Sequence, residues 1–254
     1  MLDLAFRGRV AVMTLSRPPV NAIDDAMIAS MHGKLDELAK RQDVSVLHLR
    51  SSQRLFAAGA DIELIHRIST SPDRSSVMEG YLERLQGLYN RLESLPQITL
   101  AEINGAALGG GFEMCLACDL RMAAQEAKIG LPEIGIGLFP GAGGTQRLSR
   151  LCGMGLAAKL IYTGEPETGT AARDLGMVQW ALPQAELEAG ARAVADKLAS
   201  FNPMALKAAK DCIRASAAPL ENGYRLERER TRDLIANEQT QDLLAAFLAR
   251  RKPK

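Results

Sequence analysis

Residues 104–119, NGAALGGGFEMCLACD, decide how this sequence folds and where its chemistry lies. The mostly apolar stretch from Ile98 to Ile103 comes before them and predicts a buried strand. Asn104-Gly105 then turns the chain into three consecutive glycines, Gly109 to Gly111, which open a helical stretch. The first N–H groups of a helix have no partner within it and, with the helix dipole, they stabilise negative charge. The segment therefore predicts either an anion-stabilising backbone site or close packing of a helix on a strand.

Two glutamates accompany the glycines. Glu113 lies one turn inside the predicted helix among apolar neighbours, where a carboxylate costs free energy unless it is paired or functional. Glu133 lies in a loop bounded by glycine and proline, GLPEIG at 130–135. Two carboxylates at one cavity suit general acid–base chemistry, because their environments can separate their pKa values. Taken singly, each glutamate would more often be a surface or capping residue.

Other motifs in this region indicate structure rather than chemistry. The stretch PGAGGT at 140–145 matches neither a P-loop nor a G-x-G-x-x-G loop, and it predicts a turn that leads into a helix from Thr145. Cys115 and Cys118 form a C-x-x-C without a second pair or a nearby histidine. We interpret them as buried thiols and expect no metal site.

Outside this segment, alternating strand and helix patterns predict a layered α/β core that is followed by helices. Asp24 or Asp25 is expected to cap the first helix. After about residue 140 the strand pattern fades, apart from Met177 to Ala181. The predicted strands are 4–6, 10–15, 44–49, 98–103 and 177–181, and the predicted helices are 26–40, 74–94, 184–198, 203–215 and 220–249 with a break near Asn237.

Composition limits the range of partners and compartments. The 31 Lys and Arg residues nearly balance the 30 Asp and Glu residues, so no nucleic-acid or anionic-membrane partner is expected. Four cysteines lie scattered without a framework spacing, which favours a reducing, cytoplasmic compartment. The sequence shows neither the pattern of a signal peptide nor an apolar run of the ~20 residues that span a membrane. A soluble intracellular protein is expected.

Five segments follow one another along the chain: RPPVNAI (17–23), FAAGADI (56–62), LAEINGAALGGGFEMCLACDLRMAA (100–124), IGLPEIGIGLFPGAGGTQRL (129–148) and FLARRKPK (247–254). Together they resemble the crotonase superfamily, in particular its enoyl-CoA hydratase branch. The resemblance covers essentially the whole chain, with the motifs in the expected order. It implies a mixed α/β fold, the crotonase (ClpP/crotonase-like) spiral of ββα repeats. By this likeness residues 1–182 form the core, and residues 183–254 form a helical region for trimerisation and active-site cover.

The resemblance also implies roles for individual residues. The N–H groups of Ala60 and Gly110 would form an oxyanion hole for the thioester oxygen. Glu133 would exchange a proton with the α-carbon, while Glu113 would activate the water that attacks the β-carbon. The double-bond isomerases of the family generally keep only the equivalent of Glu133, so both glutamates favour hydration of a 2-enoyl-CoA. A Δ3–Δ2-enoyl-CoA isomerase, another crotonase-type enzyme and a noncatalytic acyl-CoA-binding subunit stay open as alternatives.

An acyl-CoA thioester is the substrate that the resemblance implies, with no separate cofactor because coenzyme A is part of that substrate. Members of the superfamily usually form homotrimers or hexamers that are dimers of trimers. Glu102 departs from the family, which commonly has a small apolar residue in this strand, and if buried it needs a partner. The residues expected to contact the coenzyme A or acyl portion are Arg54, Ala58, Gly59, Asp61, Ile62, Gly109, Leu138, Phe247 and Arg250.

Overall fold

A computed structural model describes residues 1–216 and 220–243 of the 254-residue chain. In chain order its strands are β1 (Leu2–Arg7), β2 (Val10–Leu15), β3 (Val46–Ser51), β4 (Ile98–Ile103), β5 (Ala107–Leu108), β6 (Leu120–Ala124), β7 (Lys128–Gly130), β8 (Glu167–Thr168) and β9 (Trp180–Leu182). Its α-helices are α1 (Asp25–Ala39), α2 (Ile62–Thr70), α3 (Arg74–Ser94), α4 (Gly110–Leu116), α5 (Gly144–Cys152), α6 (Met154–Thr163), α7 (Gly169–Asp174), α8 (Gln184–Ala199), α9 (Pro203–Ala215) and α10 (Leu220–Ile235). A 3-10 turn covers Glu133–Ile136.

Two sheets organise the chain. The large sheet has the order β1-β2-β3-β4-β6-β9, and the small sheet has the order β5-β7-β8. The β1–β2 hairpin is antiparallel, whereas the other pairs of the large sheet are parallel. The chain passes from a large-sheet strand to a small-sheet strand and then to a helix, as in β4, β5 and α4. Because the large-sheet strands from β2 onward are parallel, the loops after them gather at one edge, where sites of α/β folds form.

Helices cover the large sheet, and the helix α8 packs against β3, β4 and β6 on one face. Every residue of β4 is buried, including the polar Thr99 and Glu102, as expected for a central strand of a parallel sheet. The domain division at residue 183 stays a prediction. Within residues 1–216 and 220–243, no helix combines the length and the apolar character that crossing a membrane requires.

The predicted elements around the central segment are confirmed at their stated bounds. The strand 98–103 and the helices 74–94 and 203–215 form as predicted. Asp24 is the cap of α1, and its side chain accepts a hydrogen bond of 2.9 Å from the N–H of Met27. The helix predicted from Thr145 begins one residue earlier, at Gly144.

One element prediction after residue 140 is wrong in its bounds, and several elements were not predicted at all. The strand predicted from Met177 begins only at Trp180, because Met177 and Val178 are buried in the turn that follows α7. The helix predicted over 220–249 with a break near Asn237 is confirmed within the described residues: α10 ends at Ile235, Asn237 lies in the break, and residues 238–243 are helical again. Residues 244–249 of that prediction lie outside the described residues. The two-residue strands β5 and β8 are too short to give a period-2 pattern.

Glu102 is buried and lies in the layer between the large sheet and α8. Its Oε2 lies 2.8 Å from Nε2 of His48 on the adjacent strand, and both side chains are almost wholly buried. Arg50 approaches Oε1 of Glu102 at 3.9 Å and pairs with Glu188 of α8 at 2.7 Å. Since side chains alternate along a strand, these polar groups point away from the opposite face of β3, to which Leu47 and Leu49 contribute. The carboxylate of Glu102 is therefore part of the packing of α8.

Candidate active site

A cavity of about 420 Å³ opens beside the start of α4. Loop residues after β3, the first turn of α4 and the segment 132–142 form most of its wall, and α3 closes one side with apolar side chains. The cavity residues that the sequence predicted as site residues are Ala58, Gly59, Ala60, Ile62, Gly109, Gly110, Glu113, Glu133 and Leu138. The residues that α3 contributes are Met78, Tyr81, Leu82 and Leu85.

Two backbone N–H groups lie next to each other at this cavity, those of Ala60 and Gly110. A Cβ atom built on Gly110 would lie 3.4 Å from the backbone nitrogen of Ala60, which places the two peptide groups side by side. Within residues 1–216 and 220–243, neither the Ala60 N–H nor the Gly110 N–H donates a hydrogen bond. Gly110 is the first residue of α4, so its N–H has no acceptor within the helix. Both donors are available to an oxygen atom in the cavity.

The glycine triplet serves both of the roles that the sequence left open. Gly109 has φ +52°, a conformation that residues with a side chain rarely adopt, and its own N–H bonds to the carbonyl of Gly130 at 3.0 Å. A Cβ on Gly111 would lie 2.4 Å from the carbonyl oxygen of Ala57. Gly111 thus allows close packing of the helix on the preceding loop, whereas Gly110 leaves its backbone open to the cavity.

Glu113 is buried, with only 2% of its surface exposed, and it points from α4 into the cavity. Its Oε1 accepts hydrogen bonds from the N–H groups of Ala142 at 2.8 Å and Gly144 at 2.7 Å. Burial raises the pKa of Glu113 to about 7, and the charge of Glu133 adds to this effect. The two N–H donors and the positive charge of Arg147 oppose the rise in pKa. A carboxyl with a pKa near neutrality is suited to act as a general base.

Glu133 begins the 3-10 turn on the other side of the cavity and is half-buried. Its carboxylate lies against the first turn of α4, since a Cβ on Gly109 would be 2.9 Å from Oε1 of Glu133. Within the described ranges, Oε2 of Glu133 is buried and has no hydrogen-bond partner. Burial raises the pKa of Glu133, which favours its protonated form.

The two carboxylates therefore differ in their surroundings. Glu113 receives two N–H donors that favour an ionised oxygen, whereas Glu133 has a buried oxygen without a donor. Such a pair can hold one proton and accept another at the same time. Together with the free N–H groups of Ala60 and Gly110, the cavity can move two protons on a substrate whose carbonyl oxygen gains negative charge.

The other predicted contacts lie at different places. Asp61 caps α2 by accepting from the N–H groups of Glu63 at 3.0 Å and Leu64 at 3.1 Å, and it lies beside the cavity rather than in its wall. Arg54 is exposed and also does not line the cavity. Phe247 and Arg250 lie outside the described residues. Within residues 1–216 and 220–243, no group of three or more His, Cys, Asp or Glu side chains is placed to hold a metal ion.

Sequence reasoning missed the residues that hold Glu113 and the start of α4. The turn at 140–145 was predicted only to lead into a helix, yet its backbone supplies both donors to Glu113. Tyr89 of α3 donates a hydrogen bond of 2.7 Å to the carbonyl of Gly110. The signal for the turn was present: Gly143-Gly144 opens a helix just as Gly109 to Gly111 do, and the first N–H groups of a helix have no acceptor within it.

The raised pKa of Glu113 predicts a stability effect. A carboxyl whose pKa is 4.5 when unfolded and about 7 when folded stabilises the native state below pH 4.5 and loses this contribution as the pH rises through 7. We expect Glu113→Gln to raise the free energy of unfolding at pH 8 by about 3 kcal/mol and to have little effect at pH 5. Urea denaturation at both pH values measures this, with the exposed Glu126→Gln as the control. An equal difference at pH 5 and pH 8 would contradict a raised pKa of Glu113 in the folded state.

Comparison with known proteins identifies the relatives of this chain. A family model described as enoyl-CoA hydratase/isomerase matches residues 5–254. The chain is similar to a probable enoyl-CoA hydratase of Bacillus subtilis, with 37% identity over 100% of this chain and 97% of that protein. It is also similar to the 2,3-dehydroadipyl-CoA hydratase of Escherichia coli, with 36% identity over 99% of this chain and 97% of that protein.

Solved structures agree with the sequence relatives. The crystal structure of an enoyl-CoA hydratase from Bacillus anthracis superimposes on this chain with a TM-score of 0.91 and 32% sequence identity. The superposition covers 100% of this chain and 98% of the Bacillus anthracis chain. A Geobacillus kaustophilus structure named as the same enzyme gives a TM-score of 0.93 and 33% identity, with 100% of this chain and 95% of that chain covered. The expected crotonase fold is thereby confirmed. By its family match and its relatives, the chain belongs to the enoyl-CoA hydratase/isomerase family.

Proposed function

We propose that this protein is an enoyl-CoA hydratase, a hydro-lyase that adds water to a 2-enoyl-CoA thioester to give a 3-hydroxyacyl-CoA. The observation that carries the proposal is the presence of both carboxylates at one cavity, next to two free backbone N–H groups. The relatives named as enoyl-CoA hydratases support the same activity. A noncatalytic acyl-CoA-binding subunit would have no use for a buried and a half-buried carboxylate whose partial desolvation costs free energy.

In the proposed reaction the thioester oxygen binds between the N–H groups of Ala60 and Gly110, which act as the oxyanion hole. Glu113 takes a proton from water, and the resulting hydroxide oxygen bonds to the β-carbon as the double-bond electrons move toward the thioester oxygen. Glu133 gives its proton to the α-carbon as the enolate collapses. Addition is syn if both glutamates act from the same face of the substrate. The N–H donors stabilise the enolate more than the ground-state thioester, so they accelerate the reaction.

The acyl chain is proposed to enter the apolar part of the cavity, against Met78, Leu82 and Leu85 of α3. A cavity of about 420 Å³ favours short or medium chains. A similar protein of Clostridium acetobutylicum is named short-chain-enoyl-CoA hydratase, in line with this reading. We propose no separate cofactor, because the two carboxylates serve both proton transfers. Fatty-acid or related acyl-CoA catabolism is the corresponding metabolic setting.

Coenzyme A is proposed to lie over the Ala58-Gly59-Ala60-Asp61 segment, with the exposed Arg54 near its phosphates. A homotrimer, or a hexamer made of two trimers, and a cytoplasmic location also remain proposals. Exposed apolar side chains of the C-terminal helical region support assembly, among them Phe201, Ile213 and Tyr224. The four free cysteines are compatible with a reducing compartment.

The assay that tests the proposal follows the loss of the conjugated thioester absorbance of crotonyl-CoA. We expect rapid loss and formation of 3-hydroxybutyryl-CoA. The isomerase alternative is tested in parallel with a 3-enoyl-CoA, whose conversion to the 2-enoyl-CoA would raise the same absorbance. Efficient isomerisation without hydration would replace the proposal by an isomerase. Tight binding of acyl-CoA without either reaction would replace it by a noncatalytic subunit.

A further inference from the structure

A buried arginine lies behind the catalytic cavity and takes no part in the reaction as proposed. Arg147 of α5 has only 9% of its side chain exposed, and it does not line the cavity. Its Nη1 donates to the carbonyl of Ala142 at 3.1 Å. Its Nε and Nη2 contact Oε2 of Glu93 at 2.9 and 2.8 Å, and Nη2 donates to Oδ1 of Asn90 at 2.7 Å. One guanidinium therefore joins α3, α5 and the turn before α5.

The turn before α5, residues 142–144, donates the hydrogen bonds that orient the carboxylate of Glu113. Ala142 receives a hydrogen bond from Arg147 at its carbonyl and donates its own N–H to Oε1 of Glu113 at 2.8 Å. Gly144 supplies the second donor at 2.7 Å. A displacement of the turn would move both donors together, because they lie two residues apart on one short segment.

Side chains of α3 donate further hydrogen bonds to this turn and to the start of α4. Gln86 donates to the carbonyl of Gly141 at 2.7 Å, at the beginning of the turn. Tyr89 donates to the carbonyl of Gly110, at the start of the helix that carries Glu113. Asn90 and Glu93, one turn further along α3, hold Arg147. Of these contacts, only the one through Arg147 brings a positive charge to the turn.

We propose that Arg147 is a positioning residue for Glu113: it fixes the turn 142–144 so that both N–H donors face the carboxylate. This inference rests on the proposed function in one respect, namely that Glu113 acts as the base. A buried guanidinium that bonds both to α3 and to the turn holds the turn in place better than a lysine would, because its planar group of N–H donors engages several acceptors at once. Asn90 and Glu93 then determine the orientation of the Arg147 guanidinium group.

Other charged or titratable groups around Glu113 make the test specific. Glu133 faces it across the cavity, Tyr81 and Tyr89 face it from α3, and Arg147 faces it from α5. The charge of Arg147 and the two N–H donors both lower the pKa of Glu113, whereas Glu133 raises it. Loss of Arg147 should therefore raise the pKa of Glu113 and leave the ionised base less populated at neutral pH.

The experiment compares the wild type with Arg147→Met, Arg147→Lys and a control, Arg150→Met, in crotonyl-CoA hydration from pH 5.5 to 9. Arg150 is the exposed arginine one turn further along α5. For Arg147→Met we expect kcat to fall about 10–100-fold at pH 7 with little change in KM, since a small displacement of a catalytic group costs this much. The acidic limb of its kcat profile should move upward by about one pH unit, so that activity partly returns at high pH. Arg147→Lys should give intermediate values, and Arg150→Met should match the wild type.

A readout independent of turnover separates this inference from the proposed function. Selective ¹³C labelling of glutamate side chains allows the pKa of Glu113 to be measured by NMR, with Glu113→Gln used for assignment. A raised Glu113 pKa in Arg147→Met and also in Arg147→Lys, which keeps the positive charge, would support the positioning role even if the wild type fails to hydrate crotonyl-CoA. A rise in Arg147→Met alone would mean that only the charge of Arg147 acts on Glu113, and it would overturn the positioning role. A fall in kcat that is equal at all pH values, with the Glu113 pKa unchanged, would overturn it and leave Arg147 as a purely structural ion pair.

Discussion

Glutamine in place of Glu133 should lower kcat for hydration of crotonyl-CoA by about 10²–10⁴-fold, the range expected when a positioned proton donor is lost. Glutamine keeps the shape and polarity of the side chain but cannot give a proton to the α-carbon. Glu113→Gln should lower hydration by a similar factor, because the amide cannot take a proton from water. Steady-state assays of purified variants measure both effects, and the exposed Glu126→Gln serves as the matched control.

The two variants should differ in isomerisation. If only Glu133 moves the proton at the α-carbon, Glu113→Gln should keep the conversion of a 3-enoyl-CoA to a 2-enoyl-CoA at whatever rate the wild type shows, while Glu133→Gln should lose it. Full hydratase activity in either variant would contradict the role assigned to that glutamate. Loss of both reactions in Glu113→Gln would indicate that the carboxylate also shapes the cavity.

Proline at position 110 should abolish most of the activity while leaving the fold intact. Gly110 is the first residue of α4, the helix position that proline tolerates best, because its N–H has no partner within the helix. The substitution removes one of the two N–H donors and places ring atoms in the space that they share. Loss of one such donor lowers kcat by about 10²–10³-fold. We expect Gly110→Pro to reach or exceed this range in the crotonyl-CoA assay.

Met154→Pro is the matched control for this experiment, since Met154 is the first residue of α6 and is highly exposed. Both variants should retain a cooperative thermal transition and the circular dichroism of the wild type. Acyl-CoA binding by Gly110→Pro, measured by calorimetry, should weaken less than kcat falls, because the donors act mainly on the enolate. An active Gly110→Pro would show that the thioester oxygen is held elsewhere.

Local patterns were sufficient for much of the fold. The bounds of α3 and β4 were predicted correctly, because α3 has a regular helical period closed by Pro96 and β4 is a mostly apolar stretch that ends at Asn104-Gly105. The short strands β5 and β8 were missed because they form through pairing with β7, not through any pattern of their own. Such strands depend on tertiary contacts, so the hydrophobic periodicity of one sequence does not predict them.

The contacts that give each carboxylate its properties join distant parts of the chain. Glu113 bonds to N–H groups 29 and 31 residues away, and Glu102 meets His48 across two neighbouring strands. A sequence places an acidic residue in an apolar stretch and shows that it needs a partner. It does not show which partner the fold will bring, since that depends on how strands and helices pack.

By itself the sequence determined the family, the two glutamates and the glycine triplet, because these depend on residue types at fixed local spacing. The folded structure was needed to show that Glu113 has two N–H donors and that, within the described residues, a buried oxygen of Glu133 has no hydrogen-bond donor. It was also needed to show that Glu102 belongs to the packing of α8. The physical reason is that burial and hydrogen bonding, which set acidity, arise from groups brought together by folding. Arg147 is the extreme case, since nothing in its local sequence distinguishes it from a surface arginine.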